Sequence, residues 1–413
     1  MVPGTASLCL ANCRPTSTAR LHTVNRQTIF VALGLFTVGY GTNVSTPFLV
    51  LYRDRLGLGA NQTQLIFVIY VIGILSTLLI AGQMSDRFGR KRLLVGSLAL
   101  SAVASGVIIL GRNNFALLMA GRVLLGVVTG GGIGVGAAWL QELLGAKQQH
   151  TAALVATLVT YLGFGAAPPI SVLYEWLLPA PLVVPFLIHI GLALAVIPLV
   201  LLVDETVDVA AIKARGPWRP ALRFGIPGAA RRGFLIYIAP LAVLIFAFPS
   251  TAFSLFPVLL SDTVDASPVV LTGLSGMSTA WGSMLSRPLI TRIPANVAMG
   301  WGAAIGTVGY MVGTVAFVTG AWVLVWPAAA ILGAASGVIS IAGLTLVGQM
   351  TDDDSRGALS STFYFLAYLG MAMPLVVSSL SGLFGTTSVL MAITCVAGGL
   401  AASAPARQRL GGL

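Results

Sequence analysis

The chain is 413 residues long, 57% hydrophobic and only 8% charged, with a mean hydropathy of +0.94; a water-soluble globule, whose apolar share is nearer half, is excluded. A formal net charge of +11 would suggest nucleic acid if it gathered on one face or tail, but the basic residues fall in short clusters between apolar runs. The composition is that of a multi-pass integral membrane protein whose surroundings are a lipid bilayer, with no nucleic-acid partner and no room for a large soluble domain.

About 20 apolar residues cross a bilayer core of about 30 Å. On that measure twelve transmembrane helices are predicted, at 28–52, 63–84, 92–111, 115–141, 151–174, 181–203, 233–258, 268–290, 295–318, 321–349, 357–380 and 384–404. Short polar or glycine-rich turns punctuate them, among them Gly57 to Asn61, Asn113 and Asn114, and Asp352 to Asp354. Asn61-Gln62-Thr63 fits both a glycosylation acceptor and a cap on the second helix.

Residues 1–27 carry Arg14, Arg20 and Arg26 without an acid and resemble an organelle transit peptide; the expectation is a cytoplasmic N-terminal tail. No apolar stretch followed by a small-residue cleavage site marks a signal peptide there. Outside the spans, Lys and Arg crowd alternate connections, leaving Arg53, Arg55 and Arg112 on the others. Basic residues stay on the cytoplasmic side, which places both termini inside a cell (inner or plasma) membrane. Cys9, Cys13 and Cys395 give neither a disulfide framework nor a metal site.

The longest connection, 204–232, reads as a cytoplasmic linker between a six-helix bundle at 28–203 and another at 233–404, with a short cytoplasmic tail at 405–413. Across it the sequence repeats. "LLGVVTG" at 124–130 answers "ILGAASG" at 331–337, at an offset of 207, and "YLG" at 161–163 meets "YLG" at 368–370 at the same offset. Gly82 and Arg87 meet Gly282 and Arg287 at an offset of 200. Two related halves are the signature of transporters that rock one bundle against the other about a central site.

"GQMSDRFGRKR", residues 82–92, puts five charges into seven residues between two apolar runs. A plain positive-inside loop explains its basic residues but not the acid among them or the spaced glycines. Through Gly82, Asp86, Arg87, Gly89, Arg90, Lys91 and Arg92 it resembles the loop signature of the major facilitator superfamily, and most of all its twelve-helix drug/proton antiporter branch. The resemblance extends over about residues 28–404. It implies an all-α membrane fold of two pseudo-symmetric six-helix bundles, alternating access, and a latch in which Asp86 faces the eleventh helix. In this sequence that helix is preceded by Asp352, Asp353 and Asp354, with Arg356 close behind them. The second copy, "GSMLSRPLITR" at 282–292, has Ser286 in place of the acid, so the latch is expected to be weaker there.

Arg122 lies inside the fourth span, where a buried arginine costs at least about 2.5 kcal/mol on insertion scales and so faces a partner, a wet cavity or, by snorkelling, the surface. With Leu118, Gly126 and Gly130 it matches the family's helix-4 pattern, which in drug/proton exporters is linked with proton coupling. His189 and Glu142 are the other proton-coupling candidates, His189 with the alternative of a packing role. No Asp or Glu lies in the middle of a span. "GFGAAPP", Gly163 to Pro169, resembles the antiporter proline motif but lacks the glycine directly before the first proline; a helix kink is the other reading.

Near the midplane lie Tyr40, Asn43, Tyr70, Tyr161, Phe246, Trp281, Tyr364 and Tyr368, residues suited to an amphiphilic organic substrate. Packing and lipid exposure are the alternatives for each. The expected function is secondary active transport by a monomer, with proton-coupled efflux of small amphiphilic compounds or drugs. A uniporter or importer of a small metabolite, and a non-transporting membrane sensor or scaffold on the same fold, are the alternatives. No phosphate-binding glycine loop or nucleotide module is present, and no enzymatic activity, cofactor or metal is expected.

Overall fold

The computed structural model describes residues 26–145, 149–209, 225–228, 230–263, 267–286, 293–351 and 353–412. Among them the chain forms twelve long helical elements: α1 (Arg26–Leu56), α2 (60–88), α3 (Arg90–Gly111), α4 (Phe115–Leu144), α5 (Gln149–Leu177), α6 (Val184–Leu201), α7 (Arg231–Leu259), α8 (Pro268–Leu285), α9 (Ala295–Thr319), α10 (Trp322–Gln349), α11 (353–384) and α12 (Thr386–Gly411). Ten are long and apolar enough to cross a membrane on those grounds alone; α5 and α8 complete the set. Residues 1–25 of the expected N-terminal tail and most of the expected linker lie outside the described residues, while the expected C-terminal tail from 405 continues α12 to Gly411.

The helices sort into two six-helix bundles. In the first, α4 lies against α2, α3 and α1, while α1 also packs on α5 and α6. In the second, α10 lies against α8, α9 and α7, and α9 packs on α12. One apolar core fills the second bundle around Phe248, Phe256, Met299 and Leu332. Another fills one end of the first around Leu35, Leu94 and Trp139. A third joins the bundles, since Tyr40, Phe67 and Tyr70 share it with Val269 and Met371. The seam runs where α5 meets α8 and α2 meets α11.

The sequence repeat has a packing cause. A Cβ on Gly126 would strike the Tyr70 carbonyl of α2, and one on Gly333 the Thr279 carbonyl of α8. Gly130 and Gly337 stand one turn further along the same crossings. Each glycine pair lets its helix approach a neighbour backbone to backbone, as small residues do in membrane bundles.

Four helices at the seam are broken. In α7 the prolines Pro240 and Pro257 cannot donate to the carbonyls four residues back, and a widened π-type turn lies over each of those positions, at Phe234–Ile238 and Thr251–Leu255. In α1, Pro47 lies in the tight turn Thr46–Phe48 that divides the helix. Gly370–Ala372 interrupts α11 just before Pro374. The fourth break, at Ile69 of α2, has a different origin, described below. Successive helices alternate in direction, so the bundle has a turn end, carrying the α2–α3 connection, and an opposite end, carrying the α1–α2 connection.

Candidate functional site

At the turn end α2 stops at Phe88 and α3 starts at Arg90, with only Gly89 between them. Gly89 has φ +95°, in the region that favours glycine. A Cβ there would also strike the carboxylate of Glu205. That carboxylate accepts hydrogen bonds from the backbone amides of Arg90 and Lys91, each at 3.0 Å, where the first turn of α3 presents unpaired N–H groups and a partial positive charge.

Arg90, whose side chain is 11% exposed, is the hub of this end. Its guanidinium meets Asp86 one turn back at 2.8 Å and Glu142 of α4 at 2.8 Å, and it donates to Ser85. Thr206 donates to the other oxygen of Glu142. Lys91 donates to the Leu201 carbonyl at 3.2 Å and Gln27 to Asp204 at 2.7 Å. Arg90 and Lys91 are thereby bound to α4, the end of α6 and the chain after it, all of the first bundle. Gly82 has open space around its Cα, Arg92 is exposed, and Arg87 also has a partner at this end. Asp352 and the side chains of Asp353, Asp354 and Arg356 lie outside the described residues.

Arg122 is 1% exposed and fully partnered. It donates from Nε to the Ile66 carbonyl at 2.9 Å, from Nη2 to the Phe67 carbonyl at 3.0 Å, and from Nη1 to Ser45 Oγ at 2.8 Å and the Thr42 carbonyl at 3.3 Å. Its guanidinium also lies 4.8 Å from the ring centre of Tyr70. In an unbroken α2 the Ile66 and Phe67 carbonyls would serve the amides of Tyr70 and Val71. Arg122 engages them instead, which accounts for the break at Ile69. The arginine thus fastens α4 to the broken stretches of α1 and α2.

His189 is fully buried between Ser101 at 3.1 Å and Ser105 at 2.7 Å, one turn apart on α3. Tyr40 bonds Tyr174 hydroxyl to hydroxyl at 2.8 Å and stacks on Phe36. Asn43 donates to the Phe164 carbonyl of α5 at 3.1 Å. Across the seam, Tyr70 donates to the Met371 sulfur at 3.0 Å and Phe67 meets Phe253 edge to face, while within the second bundle Phe246 stacks on Tyr368 at 4.6 Å. Tyr364 packs edge on against Phe363 and beside the second bundle's core. Trp281, 63% exposed, stands apart from this cluster, and the side chain of Tyr161 lies outside the described residues. The proline stretch of α5 is part of the seam: Pro168 packs against Gly273 and Gly276 of α8. The helix runs on through both prolines.

The opposite end holds polar ties between the bundles that the sequence did not suggest. Arg53 reaches Ser261 at 2.9 Å and Asp262 at 3.2 Å. Ser254 donates to Gln64 at 2.8 Å, Ser267 to Glu175 at 2.5 Å, and Ser378 to Asn61 at 2.7 Å. Asn61 is therefore a tie between α2 and α11, and the residue before the first turn of α2 is Gly59.

Residues 31–374 match the Major Facilitator Superfamily, which covers most of the chain and both bundles. The chain belongs to that superfamily. It is a multi-pass membrane protein of a transporter family, not an enzyme. The bacillibactin exporter of Bacillus subtilis is 32% identical over 22% of this chain and 24% of its own. A triacylglyceride transporter of Mycolicibacterium hassiacum is 28% identical over 43% and 35%, and the glucose transporter GlcP of Staphylococcus epidermidis 25% identical over 35% and 32%. The matched stretches thus span about a quarter to a third of these relatives. Among solved structures, a point mutant of the nucleoside transporter NupG superposes with a TM-score of 0.73 at 13% identity, covering 93% of this chain and all of that one. The peptide transporter PepTSo superposes with a TM-score of 0.70 at 14% identity, covering 94% and 96%. These likenesses establish the fold.

Proposed function

We propose that this superfamily member exports small amphiphilic organic compounds in exchange for protons by alternating access, as a monomer in the plasma membrane with both termini in the cytoplasm. On this reading the turn end faces the cytoplasm. The observation that carries it is the set of polar ties at the opposite end, where Arg53, Asn61, Gln64 and Glu175 join one bundle to the other; at the turn end Arg90 and Glu205 bind groups of the first bundle. These ties support a transporter closed to the outside, with the Asp86 turn acting on the second bundle when the cycle reverses. Asp352, Asp353, Asp354 and Arg356 supply the other side of that latch.

The aromatic and hydroxyl-bearing seam, with Tyr40, Tyr70, Phe246 and Tyr368, favours an amphiphilic organic molecule over a multiply charged ion. Trp281, Tyr364, Tyr161 and Asn43 complete the substrate-facing set. Arg122 joins the breaks in α1 and α2 and is positioned to pass a change in either to α4; His189 and Glu142 are the titratable partners in coupling. Export over uptake rests on the helix-4 resemblance together with the exporter among the relatives. The second reading, uniport or import of a small metabolite, is favoured by one observation: among the described residues no carboxylate stands at the seam's centre. Relatives named as glucose and xylose transporters support it.

Proteoliposomes containing the full chain separate the two, with ethidium and glucose as probes. Ethidium movement driven by an imposed pH gradient and abolished by an uncoupler is the expected result. Glucose movement indifferent to pH would establish the second reading, and movement of neither would contradict both.

A further inference from the structure

The lipid-facing side of the second bundle carries a groove of about 600 Å³ between α9 and α12, at the turn end. Its walls are small: Gly300 and Ala304 on α9, Gly398, Ala401 and Ala402 on α12. Tyr237 of α7 closes its base, with the hydroxyl already donated to the Asn296 carbonyl, so the floor offers mainly apolar surface. Trp301, 59% exposed, stands at the rim, the place an amphipathic ring takes at a membrane interface. Val308, Met311 and Val315 of α9 and Met391 and Val396 of α12 are exposed beyond it, which marks this side of the bundle as facing acyl chains.

Four arginines gather where the groove reaches the turn end. Arg407 and Arg409 flank Gln408, which lines the groove, while Arg231 and Arg232 begin α7 one turn and a half before Tyr237. The ends of α7 and α12 touch, since a Cβ on Gly411 would lie 3.2 Å from the Gly233 Cα. Among the described residues none of these four guanidinium groups has a hydrogen bond or an ion pair. Among the described residues no carboxylate lines the groove. The same end of the first bundle differs, its Arg90 guanidinium being paired with Asp86 and Glu142.

We propose that this groove seats one anionic phospholipid, an acyl chain lying along the Gly and Ala walls and the phosphate held by Arg231, Arg232, Arg407 and Arg409. Unmatched basic clusters beside transmembrane helices attract anionic headgroups, and arginine is suited to phosphate by its planar donor fork. A groove walled by glycine and alanine, open sideways to lipid, fits a flexible chain. The bound lipid joins α7, α9 and α12, so it stiffens the second bundle without entering the seam.

The test uses the full-length chain in nanodiscs of phosphatidylcholine with and without phosphatidylglycerol, read by thermal unfolding and by native mass spectrometry of retained lipid. Phosphatidylglycerol is expected to raise the unfolding midpoint and to remain bound as one molecule per chain. The variant Arg231→Gln, Arg232→Gln, Arg407→Gln, Arg409→Gln is expected to lose that retention by about tenfold or more. Ala402→Trp, at an exposed position, is expected to fill the groove and abolish retention while unfolding normally in phosphatidylcholine. That second variant keeps the question decidable if the first is poorly folded. Equal retention of both lipids by the wild type, retention unchanged in Ala402→Trp, or the same stabilisation by soluble glycerol phosphate would overturn the proposal.

Discussion

Glu205 clamps Arg90: its Oε1 accepts the Arg90 backbone amide at 3.0 Å, on the far side of Gly89 from the helix that Arg90 follows. The same carboxylate takes the Lys91 amide, so one residue after α6 satisfies two orphan donors of α3. Hydrogen bonds to a charged group contribute about 1.5–3 kcal/mol when buried and less when partly exposed, as here. Glu205→Ala is therefore expected to destabilise the protein by about 1–2 kcal/mol, seen as a lower thermal midpoint in detergent. Gly89→Ala adds a positive-φ strain of about 1–3 kcal/mol to a clash with that carboxylate and should lower it further. An unchanged midpoint in both variants would contradict this account of the turn.

Asp86 and Glu142 both lie 2.8 Å from Arg90, but Asp86 is 61% exposed and Glu142 35%. In this conformation Glu142 is the stronger partner. A double-mutant cycle over Arg90→Gln and Glu142→Gln is expected to give a coupling of about 1 kcal/mol in unfolding free energy. Asp86→Asn should leave stability nearly unchanged yet sharply reduce transport, if the proposed latch closes in the opposite state of the cycle. Transport at the wild-type rate by that variant would remove Asp86 from the latch.

Arg122 serves four acceptors on two broken helices. Lysine keeps the charge but cannot reproduce the planar fork, so Arg122→Lys is expected to unfold at a markedly lower temperature. Arg122→Met, which strands buried carbonyls, should cost about 3 kcal/mol or more. Ser45→Ala removes one acceptor and should cost about 1 kcal/mol. The order Met, Lys, then Ser45→Ala in severity is the checkable result; equal midpoints would show that the network contributes little.

Much of this architecture was legible in the sequence, for identifiable reasons. Hydropathy located the spans because lipid demands a continuous apolar run, and the 207-residue offset exposed the repeat because Gly126 and Gly333 meet the same steric demand at equivalent crossings. The loop was conspicuous because five charges are rare in such a chain. Arg122 stood out for the same reason, although nothing in the sequence specified backbone carbonyls as its partners. Glu205 passed as one acid among several after the sixth helix, since its partners are amides, which carry no side-chain signal. The ties at the opposite end were equally silent: Gln64 and Ser254 are 190 residues apart, and hydroxyls and amides are too common to mark a contact at that distance.

The central claim is that the two bundles part at the Asn61 and Ser378 end during each cycle. Ser378 Oγ lies 2.7 Å from Asn61 Oδ1, so Asn61→Cys with Ser378→Cys, in a chain whose Cys9, Cys13 and Cys395 are replaced by serine, places two thiols close enough to join. The decisive measurement is flux of ethidium or glucose, whichever the wild type moves in proteoliposomes, before and after oxidation. Flux stopped by the disulfide and restored by reduction is the predicted result; full flux through a fully cross-linked protein would contradict the account.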